Sequence, residues 1–146
     1  MFESRTTMIS NSVNLNNLVY GLDLEITNNH QDAQILLGGL TSASSLMVMD
    51  AASVDISKLA TTGGNFNITR NYFEEFAARV LTQIGGASLP WEMTINDLNL
   101  PLLETIGGSD VKGDFMIGNN PALPYLTLSN LTYVDGNITI TGNFSR

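Results

Sequence analysis

Apolar residues recur along this chain at an uneven but constant spacing. Leu126, Leu128, Leu131 and Val134 stand at offsets of zero, two, five and eight. Read backwards, the same template returns at Leu98/Leu100/Leu103/Ile106, Phe76/Ala78/Leu81/Ile84, Val54/Ile56/Leu59/Thr62, Ile35/Leu37/Leu40/Ala43 and Val13/Leu15/Leu18/Gly21. Six copies spaced by roughly 19 to 28 residues have the period of a solenoid, in which each repeat is a rung that buries its apolar face only against its neighbours. A second, shorter run follows each copy: Leu24-Glu25-Ile26, Leu46-Met47-Val48, Phe66-Asn67-Ile68, Met93-Thr94-Ile95, Phe115-Met116-Ile117 and Ile138-Thr139-Ile140. Alternation sends the first and third residues of each run to one face and the middle residue to the other. The pattern predicts an all-β, parallel, right-handed β-solenoid of about six rungs. Residues 1–146 then form a single repeat domain.

One stretch satisfies a second period. Phe73, Phe76, Val80, Leu81 and Ile84 also follow helical spacing, with Asn71 as N-cap, Glu74 three residues later and Gly85 as a stop. This predicts a short helix over 72–82 on one side of a rung.

Corner residues punctuate the runs. Asn28, Asn29, Asn71, Asn96, Asn119, Asn120 and Asn143 follow the second strands, where an amide side chain can bond turn backbone and tolerate left-handed φ. Gly38-Gly39, Gly63-Gly64, Gly85-Gly86, Gly107-Gly108 and Gly136 are expected at the other corner, where backbone approaches closely. Their regularity makes them corners rather than phosphate loops, and no Walker or dinucleotide spacing is present.

Composition agrees with short strands and tight turns. The chain is 43% apolar and only 14% charged, with abundant Gly, Asn, Ser and Thr. A net charge of −8, with six basic residues scattered along the chain, excludes nucleic acid and anionic membrane as partners. Without Cys there is no disulfide framework and no thiolate metal site. No run approaches the ~20 apolar residues of a membrane span, so direct insertion by this segment is not expected. The chain opens and closes within a rung. The expectation is a fragment of a longer array, or end-to-end self-association.

Two rungs carry insertions, ASLPWE after Ile84 and SDVKGD after Ile106. They bring Trp91, Glu92, Asp110 and Asp114 to one corner of adjacent rungs, a possible ligand edge. In consecutive rungs Glu92 and Asp114 would stand about 5 Å apart. Such a pair could cleave polysaccharide by acid and base catalysis, hold calcium, or be solvated charge. His30, beside Asp32, reads as a corner residue with no nucleophile arranged around it. Thr94 and Thr139 are interrupted by Glu25, Met47, Asn67 and Met116, so no flat Thr column forms for ice. No catalytic residue, metal or cofactor is expected.

Four Asn-x-Ser/Thr triplets start at Asn67, Asn130, Asn137 and Asn143. The first three fall at outward positions and fit N-glycosylation. Asn143 belongs to the corner column.

The recurring phrases LLETIGG, LTQIGG, FMIGNN, GNFNITRN and NLTYVDGNITITGN resemble the receptor L-domain type of leucine-rich β-solenoid. Within that group, NLTYVDGNITITGNFS is similar to the fungal glycosylphosphatidylinositol-anchored cell-wall organisation proteins, related to sporulation-specific wall proteins. The resemblance implies a non-enzymatic structural or recognition module, extracellular in the cell wall or on the outer face of the plasma membrane. It also implies glycans at Asn67, Asn130, Asn137 and Asn143, and wall polysaccharide or other surface proteins as partners. These 146 residues contain no signal peptide, cysteines, Ser-rich stalk or anchor signal of the full-length members. The alternative is a polysaccharide-binding or polysaccharide-cleaving β-helix using Trp91, Glu92 and Asp114; a bacterial adhesin-like repeat would share the fold without glycan.

Overall fold

The computed structural model describes residues 4–8, 12–28, 32–72, 75–86, 91–92, 97–108, 112–120, 123 and 125–142. In chain order the strands are β1 (Ser4–Met8), β2 (Ser12–Asn14), β3 (Tyr20–Asn28), β4 (Gln34–Leu36), β5 (Ser42–Met49) and β6 (Ser53–Asp55). Next come β7 (Thr61–Thr69), β8 (Glu75–Ala77), β9 (Gln83–Gly86), β10 (Trp91–Glu92) and β11 (Asp97–Asn99). Last are β12 (Thr105–Ile106), β13 (Phe115–Asn120), β14 (Tyr125–Thr127), β15 (Tyr133–Val134) and β16 (Ile138–Gly142). They stack as a β-solenoid of about five turns, close to the six rungs the spacing predicts.

Among the described residues four sheets run along the stack. A seven-stranded sheet takes the order β1-β3-β5-β7-β9-β12-β15, and three-stranded sheets are β2-β4-β6, β14-β11-β8 and β10-β13-β16. Strand pairing is parallel, and its register is the template itself. Val13 pairs with Ile35 and Ile35 with Val54; Phe76 pairs with Leu98 and Leu98 with Leu126. At the other end of the template Gly21, Ala43, Thr62, Ile84, Ile106 and Val134 form one column.

The offset of two, five and eight has a mechanical origin. Between the second and third template positions the chain makes a tight turn in which one N–H reaches back three residues. Leu18 N donates to Leu15 O at 2.9 Å, Leu40 N to Leu37 O at 2.9 Å, Leu59 N to Ile56 O at 3.0 Å and Leu81 N to Ala78 O at 3.2 Å. Leu103 N to Leu100 O at 3.3 Å and Leu131 N to Leu128 O at 3.2 Å complete the set. Both flanking residues therefore point inward and the two tip residues outward. Leu37, Leu40, Ile56, Leu59, Ala78, Leu81, Leu100 and Leu103 are fully or almost fully buried. Each large apolar side chain so buried contributes about 1.5–3 kcal/mol.

The predicted helix over 72–82 is absent from the described part of that segment. Residues 75–77 are β8, followed by the Ala78–Leu81 turn; Phe73 and Glu74 lie outside the described residues. A helix would place Phe76 and Val80 on one stripe, whereas Phe76 is 3% and Val80 37% exposed. The backbone instead bonds to adjacent rungs, Ala78 N to Asn99 O at 3.3 Å and Thr82 N to Ala60 O at 2.8 Å. Stacking between rungs satisfies the peptide groups and overrides a local helical preference worth little on its own.

The same segment interrupts one face of the stack. Tyr72 N donates to Ala51 O as Ala52 N donates to Ala33 O, yet Val54 follows Ala52 by two residues while Phe76 follows Tyr72 by four. Before this segment that face is the sheet β2-β4-β6, and after it the sheet β8-β11-β14. Behind the division the core is filled by Phe66 and Phe76, whose ring centroids are 6.3 Å apart.

The glycines do not share one corner. Gly38 and Gly39 occupy a turn tip, and an added Cβ on Gly39 would sit 2.0 Å from Asn16 O. Gly63-Gly64, Gly85-Gly86 and Gly107-Gly108 follow the last template position, where Gly107 has φ of +85°.

Candidate functional site

The insertion edge is organised around the corner at Asp114. Gly113 N donates to Asp135 O at 2.9 Å and Phe115 N to Asn137 O at 2.7 Å, which fastens this rung to the next. One carboxylate oxygen of Asp114 accepts from Asn137 N at 2.8 Å, with Asn137 Nδ2 at 3.4 Å. Any side chain at Gly136 would meet that oxygen at 2.6 Å. Asp114 Oδ1 thus works as a backbone acceptor that fixes a corner.

Glu92 is not its neighbour. β10 pairs Trp91 with Ile117 and Glu92 with Gly118, four residues beyond Asp114, which corresponds to about 13 Å along a strand. Aligning Met93 with Phe115 by alternation puts β10 four residues out of this register; an even slip preserves the face pattern, so alternation alone could not detect it. The acid pair expected about 5 Å apart is therefore not assembled. Asp110, His30, Met93 to Asn96 and Asn143 lie outside the described residues. Among the described residues no group of three or more His, Asp or Glu is placed to hold a metal ion.

The sequons divide into two environments. Asn67 sits in the last third of β7, in register with Met47, and its amide oxygen is buried without a hydrogen-bond partner. Asn130 is exposed at a turn tip, where its Nδ2 donates to Pro101 O at 2.8 Å. Asn137 is exposed at the corner after Gly136. Asn130 and Asn137 belong to the last rung, seven residues apart.

The Asn corner column is realised at Asn71, which is 4% exposed. Its Oδ1 accepts from Ala51 N at 2.9 Å and its Nδ2 donates to Val48 O at 3.2 Å, tying two rungs together. The residue before it contributes too. Asp50 and Arg70 both take left-handed φ, 57° and 53°, and form an ion pair at 2.6 Å. Sequence reading missed this pair, although their separation of one repeat was the available signal. A second missed device is hydroxyl support of the ladder: Thr41, Thr82 and Thr132 each donate to a carbonyl of the preceding rung, Val19, Ala60 and Glu104.

No family model, curated protein or solved structure matches this chain.

Proposed function

We propose that this chain is a non-enzymatic structural or recognition module of a cell surface, of the fungal cell-wall organisation kind, bearing N-linked carbohydrate. The observation that carries the reading is the exposure of Asn130 and Asn137 on one rung, each heading an Asn-x-Thr triplet. Carbohydrate attaches there at the surface without disturbing a core position, because both asparagines stand outside the template columns. Support also comes from Asp114 of the insertion edge, whose Oδ1 serves as a backbone acceptor. The continuous apolar columns fit the same role, giving a stiff rod on which surface groups are held at fixed spacing. Wall polysaccharide or neighbouring surface proteins are the proposed partners.

The test is intact mass of the protein isolated from its native source, before and after glycosidase, with peptide mapping. Carbohydrate at Asn130 or Asn137 is the expected result. A mass equal to the bare polypeptide would remove the proposal's main support.

A further inference from the structure

The turn tips form a row of their own along the flank of the stack. Each template copy places two residues outward between its second and third positions, and the second of them directly precedes Leu18, Leu40, Leu59, Leu81, Leu103 or Leu131. The first three rungs fill that place with Asn17, Gly39 and Lys58. The next two fill it with Val80 and Leu102, which are 37% and 43% exposed, and the sixth with Asn130. β11 pairs with β8 on one side and with β14 on the other, so Leu102 has a rung on either side and its exposure belongs to the flank of the solenoid. A group that covered these two neighbouring apolar tips would stabilise the stack in proportion to the area it removes from water.

Asn130 is aimed at this patch. The turn closed by Leu131 N and Leu128 O at 3.2 Å fixes its backbone, and its Nδ2 donates to Pro101 O at 2.8 Å. Pro101 O belongs to the peptide bond that enters Leu102, so the amide nitrogen is held against the tip of the preceding rung, about 4.8 Å along the stack. An asparagine amide has two N–H groups. Among the described residues Pro101 O is the one acceptor that Nδ2 meets, which leaves the other N–H to be replaced by a glycosidic bond while the first keeps its partner. Asn137 is held differently, with its Nδ2 facing the Asp114 carboxylate at 3.4 Å.

The first sugar of N-linked carbohydrate is N-acetylglucosamine, whose ring has an apolar C–H face and whose acetamide ends in a methyl group. We propose that the first sugar on Asn130 lies back over Leu102, with Val80 next in the row, and so becomes part of the packing between rungs. Carbohydrate at Asn130 then strengthens the stack through these tips, and carbohydrate at Asn137 does not. This inference rests on the glycoprotein reading above.

The test compares the bare chain from a bacterial host with the chain secreted by a eukaryotic host and trimmed enzymatically to single N-acetylglucosamine residues. Nuclear Overhauser contacts are expected between the acetamide methyl on Asn130 and the Leu102 methyls, a measurement that needs no variant. The unfolding midpoint is expected to rise by about 2–4 °C on glycosylation. In Leu102→Ser, a change at an exposed position, that rise disappears, and in Asn137→Gln it persists. A sugar on Asn130 that makes no contact with Leu102, or that stabilises Leu102→Ser as much as the parent, overturns the packing role and leaves the glycoprotein reading standing. A secreted chain whose peptide map shows no sugar at Asn130 also overturns the packing role, and absence at Asn137 as well removes the glycoprotein reading with it.

Discussion

At the scale of single residues, the solenoid depends on polar side chains that stand in for missing backbone partners. Asn71 is the clearest case, since its amide meets one donor and one acceptor of the preceding rung. Asn71→Ala would remove the acceptor of Ala51 N–H and the side-chain donor to Val48 C=O, and a buried N–H left without its acceptor costs about 1–3 kcal/mol. Urea unfolding should therefore give a loss of about 1–3 kcal/mol, and no measurable loss would contradict this role. Asn99 shows the opposite situation. Asn14 Oδ1 accepts from Asn16 N and Asp55 Oδ1 from Ser57 N, each two residues on, but two residues after Asn99 stands Pro101, which has no N–H. The Asn99 amide oxygen is accordingly buried and unpaired. Asn99→Leu, copying Leu36 at the equivalent turn position, should be neutral or stabilising by about 1 kcal/mol. A clear loss of unfolding midpoint in that variant would mean that Asn99 holds a contact outside this explanation.

At the scale of the element, each turn tip and corner has its own tolerance. Gly39→Ala drives a methyl into Asn16 O, 2.0 Å away, while Gly108→Ala meets nothing within 4 Å. The first should cost about 1–3 kcal/mol through strain and backbone shift. The second should be neutral or gain about 0.4–1 kcal/mol by restricting the unfolded chain. Thermal melts of the two variants that fail to separate in this order would argue against the turn geometry. The turns were legible in the sequence because burial repeats: Leu37/Leu40 and Leu100/Leu103 are the same two inward positions of one mechanical unit. Other features were not legible, for physical reasons that can be named. The helical reading of 72–82 counted Val80 among its apolar positions, and local periodicity cannot distinguish such a residue from a turn tip. The slip of β10 by an even number of residues left the alternation intact, so Glu92 and Asp114 looked adjacent when they are not. Of the candidate site, Asn130 and Asn137 were placed at the surface by the sequence, but the buried amide oxygen of Asn67 depends on packing from neighbouring rungs.

At the scale of the whole molecule, stability is a sum over stacked rungs rather than the property of one central core. Truncation should therefore cost more in the middle of the array than at its end. Leu59→Ala, at a fully buried site, should lose about 2–5 kcal/mol, and Leu131→Ala on the half-covered last rung clearly less. Equal losses at the two positions would point to a cap over the last rung. The function proposed for the molecule relies on this rod-like construction, because the register of the rungs decides which sequons reach the surface.

That register can be measured directly, since the chain has no cysteine of its own. Glu75 and Asp97 are Cα partners on β8 and β11, and Asp97 is in turn the partner of Tyr125 on β14. Neighbouring strands lie about 4.8 Å apart, inside the Cα separation a disulfide bridges, and strands two rungs apart lie about 9.6 Å apart, outside it. Glu75→Cys with Asp97→Cys should oxidise readily to an internal disulfide in the folded protein, and Glu75→Cys with Tyr125→Cys should not. Cross-linking of the second pair with failure of the first would contradict the in-register solenoid.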